Sequence, residues 1–426
     1  LEGQDGTGSE RKSEAVSCGR YRAEYVSGSG NEFYEKRMGV VRMKKLTERF
    51  KKNDNQEETQ VIKEEKELIK QKNENEVPAL IPFESRNDRV GRYFKKYLKN
   101  FLFDEFSDSF ITKNRLEFMR GVPIPLRHED FQVFQGGEGL KILHIAENMA
   151  WIMGIDPKFK YTSKYVEFTN RLFNQRTLLE GLLKEGRDAA EKEDFDNAII
   201  HFRAALILKP DYLHAMYSYA RVCREFYLRG NDDIYIGRFK AESMEYFELL
   251  TEVHPRFAQA YYYLGYDYLN LGLYQKAALV WKEFLRRSSN FQDKKEIRKR
   301  LAQLEQPITI EKGCNAVLAG RWREGLDILE PFLDTKFKGW WPLHYYLGVA
   351  YSRTGSNAKA VASFKRVLGI NGSHLESIKE LADLYALSGD KENERKYGKK
   401  AELIMAQIAE HEKERREREE KEEEEC

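Results

Sequence analysis

One spacing constrains this 426-residue chain more than any other feature: a small residue, another small residue twelve positions on, and a large apolar residue four positions after that. Gly186, Ala198 and Phe202 show it first, followed by Ala205 and Pro210. It returns as Gly265, Ala277, Trp281 and Phe284, as Gly313, Gly325, Leu329 and Phe332, and as Gly348, Ala360, Phe364 and Val367. Self-similarity at a fixed short period means stacked units that cannot bury an apolar face alone. Twelve residues suffice to finish one helix, turn, and start back along a second. A small residue on each helix then permits close approach, and the large ring that follows is expected to fill the gap toward the next unit. Pro210 and Pro255 stand where second helices must end and the chain must turn.

Two segments carry the pattern most fully, YYYLGYDYLNLGLYQKAALVWKEFL from Tyr261 and HYYLGVAYSRTGSNAKAVASFKRVL from His344. On these residues the stretch from about 178 to 405 resembles the tetratricopeptide repeat family, over a little more than half the chain. The resemblance implies an all-α fold: an α-solenoid of helical hairpins over residues 175–405, preceded by a small helical domain. Three departures are visible. The second unit has Ala220 in the small position but about eleven extra residues before Phe247, around 229–240. A helical segment near 292–304 separates the third and fourth units. The sixth unit, with Leu381, Ala382 and Tyr385, has a polar second helix and reads as a cap.

The flanks differ in composition. Residues 1–76 form a lead rich in Gly, Ser, Lys, Glu and Gln that is unable to fold alone, and Met43 opens MKKLTERFKK like a natural start, so residues 1–42 need not be native. Residues 77–174 read as a helical domain matching no known family. Val90–Phe103 has one apolar face at helical spacing, GVPIPL from Gly121 is a Pro-containing joint, Gly139–Gly154 is a buried helix ending at a Gly cap, and Ser163–Phe173 a further helix. The tail, 406–426, alternates Glu with Lys and Arg and is expected to be a solvated helix that frays.

Chemistry is sparse. Cys18, Cys223, Cys314 and Cys426 form no paired or metal-ligand spacing. His144 and Glu147 have the spacing of two ligands but lack a third, so a half-buried histidine on an apolar helix is the better account. His128, Glu129 and Asp130 read as a turn and helix start, and Gly136–Gly139 lacks the Lys-Ser/Thr ending of a phosphate loop. No catalytic set assembles, and no enzyme activity, metal or cofactor is expected. No apolar run spans a bilayer, and the amino terminus lacks the apolar core of a signal peptide, so the expected protein is cytoplasmic and without a membrane partner. A net charge of +2 argues against bulk attraction to nucleic acid, although the aromatic helices before residue 110 keep an alternative open. In that alternative the amino-terminal domain binds nucleic acid while the solenoid senses a peptide.

In the resembled family, ligands lie in a concave groove lined by first helices. The matching positions here are Arg187, Tyr217, Arg221, Arg224, Tyr262, Tyr266, Asn270, Tyr345, Arg353 and Lys379. Arg forks pair with carboxylates and Tyr covers extended peptide at low entropic cost. The chain is therefore expected to be an interaction scaffold that holds a protein segment carrying acidic and apolar residues. The acidic-tail clamp of one chaperone-binding subfamily is absent, since Leu183, Arg187 and Ser218 occupy its positions.

Overall fold

The computed structural model describes residues 82–127, 141–229 and 233–424. The charged lead of residues 1–76, the polar cluster at His128, Glu129 and Asp130, and the Gly136–Gly139 loop fall outside them. The chain divides into two compact units, one holding residues 73–312 and the other residues 313–408.

The first unit opens with a short helix α1 (Gly91–Phe94), a 3-10 stretch Lys95–Asn100, strand β1 (Phe101–Asp104), α2 (Asp108–Asn114) and strand β2 (Ile124–Arg127). The single amphipathic helix expected over Val90–Phe103 is thus broken into three pieces. Its last residues pair antiparallel with the expected joint, Phe101 opposite Arg127 and Asp104 opposite Ile124. Pairing satisfies the backbone of a segment that also buries Phe101, Ile124 and Leu126, and Pro125 is tolerated because a two-stranded sheet consists of edges only. Helices α3 (Ile142–Ile155) and α4 (Thr162–Leu172) follow. Gly154 is not the cap of α3, which ends at Ile155 with Asp156 as its cap. It is a packing residue, since a Cβ there would stand 2.2 Å from the Ile200 carbonyl oxygen.

The hairpins come next: α5 (Gln175–Glu191) with α6 (Phe195–Leu208), α7 (Leu213–Arg229) with α8 (Asp233–Val253), and α9 (Ala258–Asn270) with α10 (Tyr274–Arg287). The extra residues of the second unit add no separate element within the described residues; α7 and α8 run to 17 and 21 residues. Helix α11 (Phe291–Leu318) joins the helix expected near 292–304 to the first helix of the next repeat, continuing through Pro307. In the second unit, α12 (Trp322–Leu329) precedes α13 (Trp341–Arg353) with α14 (Asn357–Ile370), and α15 (Leu375–Ser388) precedes α16 (Lys391–Glu424), which continues into the charged tail.

The recurring spacing has a direct physical counterpart. A Cβ on Gly186 would stand 2.6 Å from the Phe202 ring, one on Gly265 2.1 Å from Trp281, one on Gly313 2.6 Å from Leu329, and one on Gly348 2.7 Å from Phe364. The large residue therefore lies over the glycine of its own hairpin, sixteen positions back, and Trp281 also shares a buried cluster with Ile297 and Leu304 of the following helix. Helix crossings this close leave no room for a side chain between backbone and ring. Ala198, Ala277 and Ala360 are fully buried on the partner helices, as Phe202, Trp281 and Phe364 are. Seven positions after the small residue of every unit but the second, the chain turns through a left-handed backbone: Gly272, Gly320, Gly355 and Gly389 all have φ between 73 and 81°, while the first hairpin places Glu193 there at 62°. That regularity was present in the sequence and gives the turn its reason, because only glycine takes this conformation without steric cost.

The amino-terminal elements pack against the hairpins within the first unit. Arg203 of α6 is 0% exposed, and its guanidinium grips both oxygens of Asp88, with Nη1–Oδ1 at 2.9 Å. Its Nε donates to the Gly154 carbonyl at 2.6 Å. Asp88 in turn accepts from the Gly91 amide at 2.7 Å, starting α1. The Arg203 guanidinium beside it helps hold the Asp88 carboxyl below the usual range, against the opposing effect of burial. Arg89 bridges to Glu242 and Glu245 of α8. The rings of Tyr93 and Phe94 lie against Phe239, and Phe83 against Tyr219 and Tyr246. Tyr93 and Phe94, two of the candidate stacking rings in the sequence, are occupied in packing within the unit.

Candidate functional site

The first-helix residues singled out in the sequence fall in different units. In the first unit, α5, α7, α9 and α11 bring together one connected surface. Tyr217 of α7 meets Phe257 edge-on at 5.0 Å and tilts toward Tyr263 of α9 at 6.1 Å. Arg221, one turn along, sets its guanidinium over both rings, 5.9 Å from Tyr217 and 5.1 Å from Tyr263. Arg224 covers Tyr263 as well, at 5.6 Å. Two guanidinium groups on one tyrosine face make an aromatic platform with fixed positive charge at its edge. Burial, with the neighbouring Tyr263, pushes the Tyr217 hydroxyl up to about 12, so it stays neutral.

Arg221 and Arg224 are not equivalent. Arg224 is only 18% exposed in its side chain and is directed to Asp267 of α9, 3.9 Å away. Asp267 is 2% exposed and accepts from the Tyr227 hydroxyl at 3.1 Å. Burial pushes its carboxyl up to about 7, against the lowering influence of Arg224. Arg221 is half-buried and makes no ion pair among the described residues; it lies over two rings, with the Tyr217 hydroxyl and Glu225 as its polar neighbours. Of the two, it is the cation available to an incoming acidic group. Arg187 is exposed on α5.

Tyr262 and Tyr266 of α9 lie next to each other at 5.2 Å and pack on Phe284 and Trp281. Their hydroxyls converge on one carboxylate, Glu296 of α11, with Tyr262 at 3.1 Å. Arg300 stands 3.9 Å from the same carboxylate and over the Tyr266 ring. The two tyrosines keep half-exposed edges, but their polar ends are already satisfied within the chain. Asn270 is half-buried at the end of the same helix.

In the second unit, Tyr345 of α13 packs on His374 at 4.9 Å and on Phe364 at 6.0 Å. Trp341 covers the other part of His374 at 4.5 Å. Burial lowers the affinity of His374 for a proton, and its Nδ1 accepts the Ser377 amide at 3.1 Å, capping α15. Arg353 is exposed, with Glu380 at 3.9 Å, and Lys379 is exposed on α15. Sequence reasoning missed Tyr263, Asp267, Glu296 and the Asp88–Arg203 pair. Tyr263 was accessible to it, one residue beyond Tyr262; the others depend on partners 30 to 115 residues away.

Elsewhere, His144 is half-buried and Glu147 exposed on α3, and no three potential ligands gather to hold a metal among the described residues. No helix among them is long and apolar enough to cross a membrane.

Comparison with known proteins finds one family model and several solved structures similar to part of the chain. A family model for the tetratricopeptide repeat matches residues 183–226, the stretch from α5 into α7. No curated protein matches the chain. Among solved structures, the TPR domain of P58(IPK) is 19% identical, with 52% of this chain covering 59% of that one at a TM-score of 0.35. YrrB, described as a TPR protein with an unusual peptide-binding site, is 15% identical over 50% of this chain and 97% of its own, at 0.24. A tetratricopeptide repeat protein from Parabacteroides merdae is 16% identical over 65% and 90%, at 0.25.

Proposed function

We propose, for a chain that is a tetratricopeptide repeat protein and hence of a scaffold type that serves protein–protein interaction, that its first unit binds an extended protein segment carrying acidic and apolar residues. The segment lies along the first-helix face formed by Tyr217, Arg221, Arg224, Tyr262, Tyr266 and Asn270, with Arg187 at one end. One observation carries this reading: Arg221 is held over the Tyr217 and Tyr263 rings and makes no ion pair among the described residues. A pre-positioned guanidinium on an aromatic platform offers a charge-assisted pair to an acidic side chain and apolar cover beside it. Arg224 supports the platform from below through Asp267. Tyr345, Arg353 and Lys379 offer a separate surface of similar chemistry in the second unit.

The test is fluorescence anisotropy with a peptide of alternating acidic and apolar residues. Arg221→Ala removes a ring-packed cation without orphaning a buried carboxylate, and should weaken binding about tenfold, the range of a moderate hot spot. Raising salt from about 50 to 300 mM should weaken it only modestly, because a few partly desolvated pairs are screened less than a long phosphate backbone. Equal affinity of wild type and variant would place the partner surface elsewhere.

A further inference from the structure

Over about its first four turns, helix α11 sorts its charges by face. Between Phe291 and Leu304 it carries five basic residues, Lys294, Lys295, Arg298, Lys299 and Arg300, against two acidic ones, Asp293 and Glu296. Both acids turn toward α9: Asp293 accepts from Gln259 at 3.1 Å, and Glu296 takes the Tyr262 and Tyr266 hydroxyls. Arg300 follows them. Ile297 and Leu304 turn into the core with Trp281 and Phe284. What remains on the outside is Phe291, Lys294, Lys295, Arg298 and Lys299, spaced three or four apart and covering about 140° of the helix surface at 100° per residue. None of the four cations makes an ion pair among the described residues. Phe291 is 68% exposed. It is held out by the turn before it, where the Asn290 side chain accepts the amides of Gln292 at 3.0 Å and Asp293 at 3.2 Å.

We propose that this face of α11 docks on an anionic lipid surface, with Phe291 entering the interfacial region and the four cations lying among acidic headgroups. The near-neutral total of +2 does not reveal the patch, since the two acids within this stretch, Asp293 and Glu296, are committed to α9. Expecting no membrane partner from an absent apolar span addresses crossing a bilayer and not lying on one. Three features favour lipid over a polyanionic chain. Three of the four cations are lysines, which act as hydrated point charges and do not read carboxylate or phosphate forks. The patch is compact, about two helical turns, and mobile headgroups can gather under it, whereas a nucleic acid needs a longer row of cations for comparable attraction. An exposed phenylalanine at its edge gains from the acyl boundary, a contact that the phosphate backbone of a duplex does not offer.

The full chain should co-float with phosphatidylcholine vesicles containing about 30 mol% phosphatidylserine and not with phosphatidylcholine alone. Lys295→Gln with Arg298→Gln and Lys299→Gln, all exposed positions, should lower partitioning about 100-fold, from roughly fivefold per charge. Phe291→Ala should reduce it further, while Lys184→Gln on α5 should leave it unchanged. Circular dichroism checks that each variant folds. Failure to bind the anionic vesicles, or binding that ignores the triple variant, overturns the proposal. Tighter binding to a single-stranded RNA oligonucleotide than to vesicles, abolished by the same triple variant, would assign the face to nucleic acid instead. Retention of peptide binding by the triple variant keeps this test distinct from that of the Arg221 surface.

Discussion

Replacing Gly265 by alanine is the sharpest probe of the repeat packing. The added Cβ would sit 2.1 Å from Trp281 Nε1, 2.3 Å from Cδ1 and 2.7 Å from Cε2, all far inside contact distance. Trp281 cannot swing away cheaply. It is 0% exposed, packed by Tyr266 at 5.0 Å, and tied through Nε1 to the Tyr262 carbonyl at 3.1 Å. Forcing a methyl into such a core costs ~1–3 kcal/mol. Displacing the indole also loses a hydrogen bond worth ~1 kcal/mol. Against this, alanine improves helix propensity over glycine by ~1 kcal/mol. The balance is a loss of ~1–3 kcal/mol, or a fall of roughly 2–10 °C in the melting temperature of a unit this size. Gly181 is the matched control. It lies inside α5 with nothing within 4 Å of the methyl that alanine would add, so Gly181→Ala should keep only the propensity gain and raise stability by ~0.5–1 kcal/mol. Thermal melts followed by circular dichroism would read both. A Gly265→Ala protein as stable as wild type would refute the close-crossing account.

Two further outcomes follow from buried charge. Asp88→Ala should destabilise by ~3–5 kcal/mol, because it leaves the fully buried Arg203 guanidinium uncompensated; denaturant unfolding would measure it, and a loss under ~1 kcal/mol would mean that the pair is dispensable. Asp267 and Glu242, each pushed up to about 7 by burial, hold protons more tightly folded than unfolded. Their contribution is present in full below the ordinary carboxylate range and is lost as pH rises through about 7. Asp267→Asn should therefore flatten the fall in stability between pH 5 and 8, by ~1–3 kcal/mol; an unchanged slope would show that the carboxyl titrates as if exposed.

The repeats were legible because their cause is local. The regular hairpins combine a small residue where helices cross, a large one sixteen positions on, and a left-handed turn seven positions after the first. Gly265, Trp281 and Gly272 meet all three conditions within seventeen residues. The family resemblance rests on the same short-range geometry. Where the chain departed from it, sequence spacing misled. Lys95–Asp104 has helical periodicity, yet its residues divide between a 3-10 turn and a strand because Ile124–Arg127 is there to pair with them. Nothing within the segment announces that partner.

The proposed binding surface divides in the same way. The types of its residues, tyrosine and arginine at first-helix positions, belong to the sequence. Which of them is available to a ligand was decided by tertiary contacts. Arg224 turns to Asp267 43 positions away in the chain, and the Tyr262 and Tyr266 hydroxyls turn to Glu296, whereas Arg221 lies over the Tyr217 and Tyr263 rings with no ion pair among the described residues. Periodicity reports which side of a helix a residue occupies, because that follows from 3.6 residues per turn. It does not report whether the neighbouring helix brings a carboxylate to that side. Charge neutralisation is a pairwise, short-range event between distant residues, and only the packed chain determines it.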